Sequence, residues 1–560
     1  MSHTPASETK TPSSPMDHQR AINRLRTREL LSAALDYAIF DRRSADYFYD
    51  PLEIEHAVAN RATIITELVE ELQTPAHYSP RPAFAYFPPK SDLCDRRMTY
   101  IPIKDLTVRY GIAILFAEQI ETEIHPHCFA NRRAGEADAA RRFTEDFSTG
   151  GWARFCQWQA ESCNTNNILL RTDISAFYDS ISHDYLIDAV CRHLSLPQEC
   201  DLIVLLRRLL EVPIRYYSPS THNIETPAVL RQGLPIGDGV EGYLANIYLK
   251  DLDDAMIGPG ASYGRYVDDI RLFGTSREAV LRNLGILQEQ LLRKGLNLNS
   301  SKTKIAVDEA SRGDLLSRAY EGGDYGQDED EVAGSEIATR IDAPFEAFSR
   351  RFAEDQELQE AGDAKDFCKF LGAHDADGLP LVALGDRQIW HVERLRDIMI
   401  HWRGPARHAG WLLVQTALYG GVPAQARDRA RQVILELLAS NTLNAYSRYR
   451  ILHHLAKLRA CRTGQPFRFI LQLTDTERQQ IEALLPQFLA APAFELNLIA
   501  LYTYRVLGRT TAQLRTLVSQ HCRQGCEPVR NALAAASAIP TTAPAPAADA
   551  AEPDAISEPY

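Results

Sequence analysis

The sequence predicts an α+β protein in which a small antiparallel sheet carries a carboxylate hairpin and an all-α second half follows. Three observations predict it. Tyr266-Val267-Asp268-Asp269 lies between Ser262-Tyr263-Gly264-Arg265 and Ile270-Arg271-Leu272-Phe273, two strand-like runs that read as a β-hairpin with its acids at the tip. Arg171-Thr172-Asp173-Ile174-Ser175-Ala176-Phe177-Tyr178-Asp179 is a further strand-like run, and pairing would leave Asp173 beside that hairpin. From about residue 390 the apolar residues recur at helical spacing in one segment after another.

Three carboxylates at one point repel one another unless a cation sits between them, and hard oxygen ligands suit Mg²⁺. Two such ions roughly 3.5–4 Å apart can activate an attacking hydroxyl, hold a triphosphate and stabilise departing pyrophosphate, which is nucleotidyl transfer. An acidic pair in a turn is commonly just solvated; order and company give this one weight. Arg231-Gln232-Gly233-Leu234-Pro235-Ile236-Gly237 lies between the two acidic segments, and Gly295-Leu296-Asn297-Leu298-Asn299-Ser300-Ser301-Lys302-Thr303-Lys304 follows the hairpin. In this order the four blocks resemble the palm motifs of reverse transcriptases, including those of group II introns. The resemblance is specific over 165–305, weaker over 80–135 and absent beyond about 310. It implies a right-hand polymerase with fingers and an RRM-like antiparallel palm. Asp173, Asp268 and Asp269 would be catalytic and would hold two Mg²⁺ ions, with Mn²⁺ as a substitute.

The 560 residues allow two to four domains, and 45% hydrophobic with 24% charged residues is ordinary for a globular chain. No apolar run reaches the roughly 18 residues of a membrane span, and Met1-Ser2-His3-Thr4-Pro5 lacks a signal peptide's apolar core, so no membrane partner and a cytoplasmic location are expected. The 10 cysteines are scattered, and Cys522 and Cys526 have no second pair to complete a zinc site, so reduced thiols are expected. A net charge of −13 looks wrong for a nucleic-acid enzyme, but its distribution resolves this. Residues 319–336 and the tail 538–560 hold seven and four acids without a base, which leaves the remainder close to neutral, with enough Lys and Arg to line a groove.

In chain order, residues 1–17 are rich in Ser, Thr and Pro and read as a disordered N-terminus. Residues 18–165 hold helices over Leu30–Leu35 and Ile54–Leu72 and then a strand pair over 83–105, assigned to the fingers. There Arg97 stands four positions before Ile101-Pro102, where similar fingers motifs place a basic residue that grips the incoming triphosphate; a guanidinium suits phosphate through bidentate hydrogen bonds. A helix over 107–124 leads to His125-Pro126-His127-Cys128-Phe129-Ala130-Asn131-Arg132-Arg133, a degenerate form of the second fingers motif in which Arg132 would touch template or nucleotide.

Residues 166–305 are the palm. Tyr178 falls where the family stacks a residue beneath the sugar and excludes a 2′-hydroxyl; plain core packing is the alternative for the same ring. Asp179 reads as a helix N-terminal acid and not as a further ligand. Gln232 and Gly233 open a helix toward Asp254, glycine and proline letting backbone approach a ligand. In the family this segment holds template and nucleotide. Lys302 corresponds to the lysine that faces the nucleotide phosphates, with Lys304 as its near neighbour.

Residues 306–390 are read as an acidic loop with thumb or connection, in which Phe370-Leu371-Gly372 matches a primer-grip signature by chance. Residues 391–537 are read as paired helices at 407–419, 428–440, 444–460, 475–490, 493–507 and 511–523, similar to HEAT repeats without a strict period. Residues 538–560 form an Ala/Pro tail read as disordered. Arg448-Tyr449-Arg450-Ile451-Leu452-His453 matches the Arg-x4-His spacing of HEPN-type ribonucleases and is read as ordinary surface residues.

No Cys/His-rich endonuclease, ribonuclease H acidic set or retron segment is visible. A reverse transcriptase core followed by helical repeats resembles the abortive-infection and defence-associated enzymes of bacteria. That resemblance implies dNTPs as substrates, DNA made on a non-coding RNA during phage infection, and a possible homo-oligomer. It also allows template-independent synthesis primed from a tyrosine. An RNA-binding antiviral scaffold with an inactive polymerase site is the reading from another class, and an RNA-directed RNA polymerase is disfavoured by Tyr178.

Overall fold

The computed structural model describes residues 16–133, 151–216, 228–321, 368, 388–522 and 527–538, less 46, 49, 91–93, 230, 238, 258–261, 419–421 and 462–463. Its elements are α1 (His18–Leu25), α2 (Arg28–Ser44), α3 (Pro51–Ala59), α4 (Arg61–Glu71), β1 (Ala83–Tyr86), β2 (Met98–Tyr100), α5 (Ile103–Ile120), α6 (Gly151–Thr165), β3 (Ile168–Asp173), α7 (Phe177–Ser180), α8 (His183–Leu194), α9 (Asp201–Leu210), β4 (Pro213–Tyr216), β5 (Ala228–Val229), α10 (Gly239–Met256), β6 (Ser262–Tyr266), β7 (Asp269–Gly274), α11 (Arg277–Arg293), β8 (Lys304–Ala306) and α12 (Glu309–Glu321). The second half adds α13 (Gln388–His401), α14 (Ala406–Leu418), α15 (Ala424–Ala439), α16 (Ala445–Ala456), β9 (Leu458–Cys461), β10 (Gly464–Arg468), α17 (Asp475–Leu489), α18 (Phe494–Val506), α19 (Thr511–His521) and α20 (Glu527–Ala538). Among the described residues no helix is long and apolar enough to cross a membrane.

Local chemistry sets many boundaries. Ser182 and Ser276 cap α8 and α11 by accepting from the third backbone N–H, and Thr474 with Glu477 forms a reciprocal capping box on α17. Pro51 stands in the first turn of α3, where its missing N–H costs nothing.

The sheet that bears the acids is antiparallel with order β6-β7-β3-β8. Alternation divides its residues between two cores. Leu170, Ile270 and Leu272 face a core with α8, α10 and α11, whereas Leu169, Phe273 and Ala306 face Trp152, Phe155 and Trp158 of α6 and Leu315 of α12. A second sheet runs β2-β1-β4-β5, with β1 antiparallel to β2 and parallel to β4.

The helices of the second half fall close to the expected segments. Two features depart from a plain succession of helix pairs. A hairpin, β9–β10, separates α16 from α17, and α20 extends the helices to Ala538. The Arg448 to His453 stretch is also not surface: Arg450 and His453 are buried, and Arg448 is half-buried and donates to the Ser440 carbonyl. The reason is that α16 lies between α14 and α18. Phe370-Leu371-Gly372, residues 322–336 of the acidic loop and the tail beyond 538 lie outside the described residues.

The β2-β1-β4-β5 sheet and the helical half share one core. Phe84, Tyr86, Met98 and Tyr100 pack into the same apolar cluster as Phe48 and the buried faces of α13 to α20. Phe494 sits at the junction, its ring centroid 5.5 Å from Phe48, 6.1 Å from Phe84 and 6.4 Å from Tyr86. Polar contacts repeat the join: Arg403 donates to Asp95 at 2.6 Å, and Arg215 pairs with Glu527 at 2.8 Å. Phe494→Ala is therefore expected to cost about 3–5 kcal/mol and to lower a single thermal transition. Calorimetry in which the helical half melts alone, leaving the rest unmoved, would contradict a shared core.

Candidate active site

Asp173 ends β3 and pairs with Asp269, the first residue of β7. The Tyr266–Asp269 pair closes the β6–β7 hairpin, which leaves Val267 and Asp268 as its two loop residues. Thus only Asp268 of the two neighbouring acids stands at the tip. Val267 has φ 55°, the positive value that the first position of a type II′ turn requires and that glycine normally supplies. For a β-branched residue this is a strained conformation. Across the strand ends, the Ile174 N–H donates to the Asp268 carbonyl at 3.2 Å, which ties the tip to the chain just past Asp173.

Asp173 and Asp268 sit close enough to disfavour each other's charge. Burial raises the Asp268 carboxyl to about 7, with the charge of Asp173 adding to the rise. Asp173 is also raised, chiefly by burial and against the opposing pull of Lys302, with the charge of Asp269 adding to the rise. Lys302 Nζ lies 3.5 Å from Asp173 Oδ2, which also accepts from Asn299 Nδ2 at 3.3 Å.

Asp269 stands close enough for its charge to raise both Asp173 and Asp268, and it is also engaged by arginines. Although it lies opposite Asp173, its Oδ1 and Oδ2 accept from the two terminal nitrogens of Arg271 at 2.5 and 2.8 Å, and Arg171 Nε stands 3.6 Å away. Arg271 in turn donates Nε to Gln159 Oε1 of α6 at 3.0 Å. The period of two puts Arg171 and Arg271 on the face that carries Asp173 and Asp269, and that face is covered by α6. A buried arginine must be paired, and Asp269 is its partner.

Among the described residues no group of three His, Cys, Asp or Glu side chains is arranged to hold a metal ion. Two carboxylates nonetheless suit Mg²⁺, which binds through one or two of them and fills its octahedron with waters and substrate phosphates. The raised carboxyls of Asp173 and Asp268 are the mark of a pair that a cation would relieve.

The Gln232 block docks on the residues after Asp173. The Gly233 N–H donates to the Ile181 carbonyl at 2.7 Å and the Leu234 N–H to the Tyr178 carbonyl at 2.8 Å, while Gln232 forms a bridge with Ser182 and is exposed. Gly233 has φ 86°, and a Cβ there would lie 3.0 Å from the carbonyls of Tyr178 and Asp179, so this approach needs glycine. Tyr178 is half-buried, packed against the main core with its ring 5.3 Å from Phe177. Asp179 lies in the first turn of α7 and accepts from Arg97, which also reaches Tyr216 OH at 3.4 Å. Arg97 is thereby held beside the Asp173 loop.

Arg132 is engaged by the chain itself. It donates to Glu121 Oε1 at 2.6 Å, to the carbonyls of His125 and Cys128 at 3.1 Å each, and to that of Glu121 at 3.2 Å. Its donors close the turn after α5, so it acts there as a local clamp.

A buried network beside the hairpin escaped the sequence reading. Arg265 donates Nε and Nη2 to the two oxygens of Asp253 at 2.8 Å each, and Nη1 to Asn246 Oδ1 at 2.9 Å and to the Val267 carbonyl at 3.2 Å. Its available signal was that Asn246 and Asp253 stand seven apart, on one face of α10.

Residues 130–374 match the family model described as reverse transcriptase (RNA-dependent DNA polymerase). The enzyme class that this match indicates is a nucleotidyltransferase, an RNA-directed DNA polymerase. The match runs beyond the recognisable motif blocks, which had ended near 310. No curated protein matches this chain. Among solved structures, that of apo telomerase from Candida tropicalis truncated from its C-terminal domain is similar at 12% identity over 37% of this chain, with TM-score 0.28. The similar part spans 41% of that telomerase chain.

Because Asp268 is neutral when folded up to about pH 7 and ionises near the usual carboxylate value when unfolded, the unfolded state binds fewer protons between those limits. Without metal, stability falls as pH rises through that window. Asp268→Asn is expected to raise the melting temperature of metal-free protein by a few degrees at pH 8 and to change little near pH 4, as differential scanning calorimetry would register. An equal gain at both values would contradict a raised Asp268.

Proposed function

We propose that this chain is an RNA-directed DNA polymerase that adds deoxynucleotides at Asp173 and Asp268 and acts in bacterial defence against phage, with a non-coding RNA as template. The observation that carries the polymerase reading is the meeting of Asp173 and Asp268 at one end of the β3–β7 ladder, with the Gln232 loop docked on the residues after Asp173. The reverse transcriptase match over 130–374 supports the same chemistry.

Asp173 and Asp268 would hold the catalytic Mg²⁺, or Mn²⁺ in its place, which supplies charge neutralisation and activation of the attacking hydroxyl. The remaining roles fall to the chain itself. Lys302 lies near enough to Asp173 to exchange that carboxylate for a phosphate oxygen and to protonate departing pyrophosphate. Arg97 offers the triphosphate a planar fork now engaged by Asp179. Gly233 brings backbone close to the nucleotide, and Gln232 lies exposed at the edge of the same loop. Tyr178 closes the floor under the sugar. Asp269 acts through Arg271 and Arg171 by holding the strand that presents Asp268.

The accompanying organisation is fingers at 18–165, palm at 166–305, connection at 306–390 and a HEAT-like repeat at 391–537. The defence role, the cytoplasmic setting and self-association rest on the resemblance to abortive-infection enzymes.

Incorporation of labelled dNTPs by protein purified from cells, with and without ribonuclease, tests the reading. Ribonuclease-sensitive incorporation is the expected result; resistant incorporation would favour untemplated synthesis instead, and none would contradict a polymerase. Asp173→Ala and Asp268→Ala should each lower the rate by several kcal/mol of transition-state stabilisation, on the order of a thousandfold, with the fold retained. Asp269→Ala should instead lower stability by about 3–5 kcal/mol, because it strands the buried Arg271.

Tyr178→Ala should relax discrimination against ribonucleotides in single-nucleotide addition. Equal discrimination before and after would leave the ring as core packing alone.

A further inference from the structure

We infer that Arg265 is a positioning residue, which sets the place of Asp268 by holding the Val267 carbonyl. This rests on the proposed metal-binding pair Asp173 and Asp268. The relevant observations are geometric. Val267 is a β-branched residue at φ 55°, a conformation that costs of order 1–3 kcal/mol and persists only when its surroundings over-determine it. Its carbonyl accepts from Arg265 Nη1 at 3.2 Å, and Asp268 is the next residue.

Arg265 is itself fixed on every side. Its guanidinium is fully buried, with Nε and Nη2 gripped by Asp253 at 2.8 Å and Nη1 shared with Asn246 at 2.9 Å. Asp253 is also held by Tyr263 OH at 2.7 Å, and Asn246 donates to the carbonyls of Ala130 and Asn131 at 2.8 and 3.1 Å. The backbone of Arg265 is clamped too: its N–H donates to the His127 carbonyl at 2.9 Å and its carbonyl accepts from Phe129 N–H at 3.0 Å. In an arginine so constrained, the second hydrogen of Nη1 is aimed at the turn. Loss of that bond lets Val267 relax to negative φ and swings the Asp268 carboxylate away from Asp173.

Arg265→Lys keeps a cation for Asp253 but has no second nitrogen to reach Asn246 and Val267 together. Val267→Gly accepts positive φ without strain. The test is Mn²⁺ titration followed by electron paramagnetic resonance on the full-length protein, alongside Mg²⁺-dependent dNTP incorporation and thermal melting. Arg265→Lys should weaken Mn²⁺ binding about tenfold, within the range that outer residues of metal sites command, and Arg265→Lys/Val267→Gly should recover most of that loss. A role confined to folding would lower the melting temperature without any recovery by the glycine. Folded Arg265→Lys with wild-type Mn²⁺ affinity, or a double variant no better than the single, overturns the inference. Should Arg265→Lys fail to fold, Asn246→Ala leaves the Asp253 fork in place and should give a smaller shift that Val267→Gly again repairs; loss of the fold in both variants shows a structural network only and overturns it. Wild-type protein that binds Mn²⁺ but incorporates no nucleotide defeats the polymerase reading and leaves the positioning role standing.

Discussion

The register of β3 against β7 is the constraint on which the rest depends. Side chains alternate along a strand, so a slip of one residue would send Asp173 into the core with Leu170 and bring apolar residues to the site. Two features hold the register. Leu170, Ile270 and Leu272 must face α8, α10 and α11, while Leu169 and Phe273 must face the aromatic helix α6. The Arg171, Arg271 and Asp269 group then adds a polar lock on the α6 side, since an arginine buried without its carboxylate would be costly. Register, core and charge pairing specify the same alignment, and that agreement makes the position of Asp173 unique.

The hairpin shows how much structure is needed to place one carboxylate. On one side Arg271 and Gln159 anchor Asp269; on the other Arg265, Asp253 and Asn246 anchor the turn. Both guanidiniums, of Arg271 and Arg265, are fully buried. Their charges are matched by Asp269 and Asp253. The tip is thus free to carry a pair of raised carboxyls with Asp173, whose mutual repulsion a divalent cation would relieve.

The sequence made some of this legible and hid the rest for physical reasons. Alternating runs around Tyr266-Val267-Asp268-Asp269 and ahead of Asp173 disclosed both strands, because one-sided burial imposes a period of two. Helices of the second half were visible to within a few residues for the same reason at a period of 3.6. Periodicity says which face is buried and not against what, so the core shared by Phe84, Tyr86 and Phe494 went unseen. Arg450 and His453 were misplaced because a charged letter suggests solvent, whereas both are buried; for the same reason the pairings of Arg132 with Glu121 and of Asp269 with Arg271 went unseen.

The shared core bears on how the two halves work together. Arg97 precedes Met98, which is buried against the helical half, and the Thr99 N–H donates to the Ile236 carbonyl of the Gln232 loop at 2.6 Å. Strand β2 therefore touches the helical half on one face and the proposed nucleotide loop by its backbone. A strand packed to interior density cannot follow one neighbour without the other. Displacement of α18, which carries Phe494, would reach Gly233 and Arg97 through β2 and through Ile236, which packs against the same core, so the helical half is built into the β2-β1-β4-β5 sheet and is not an appendage to it.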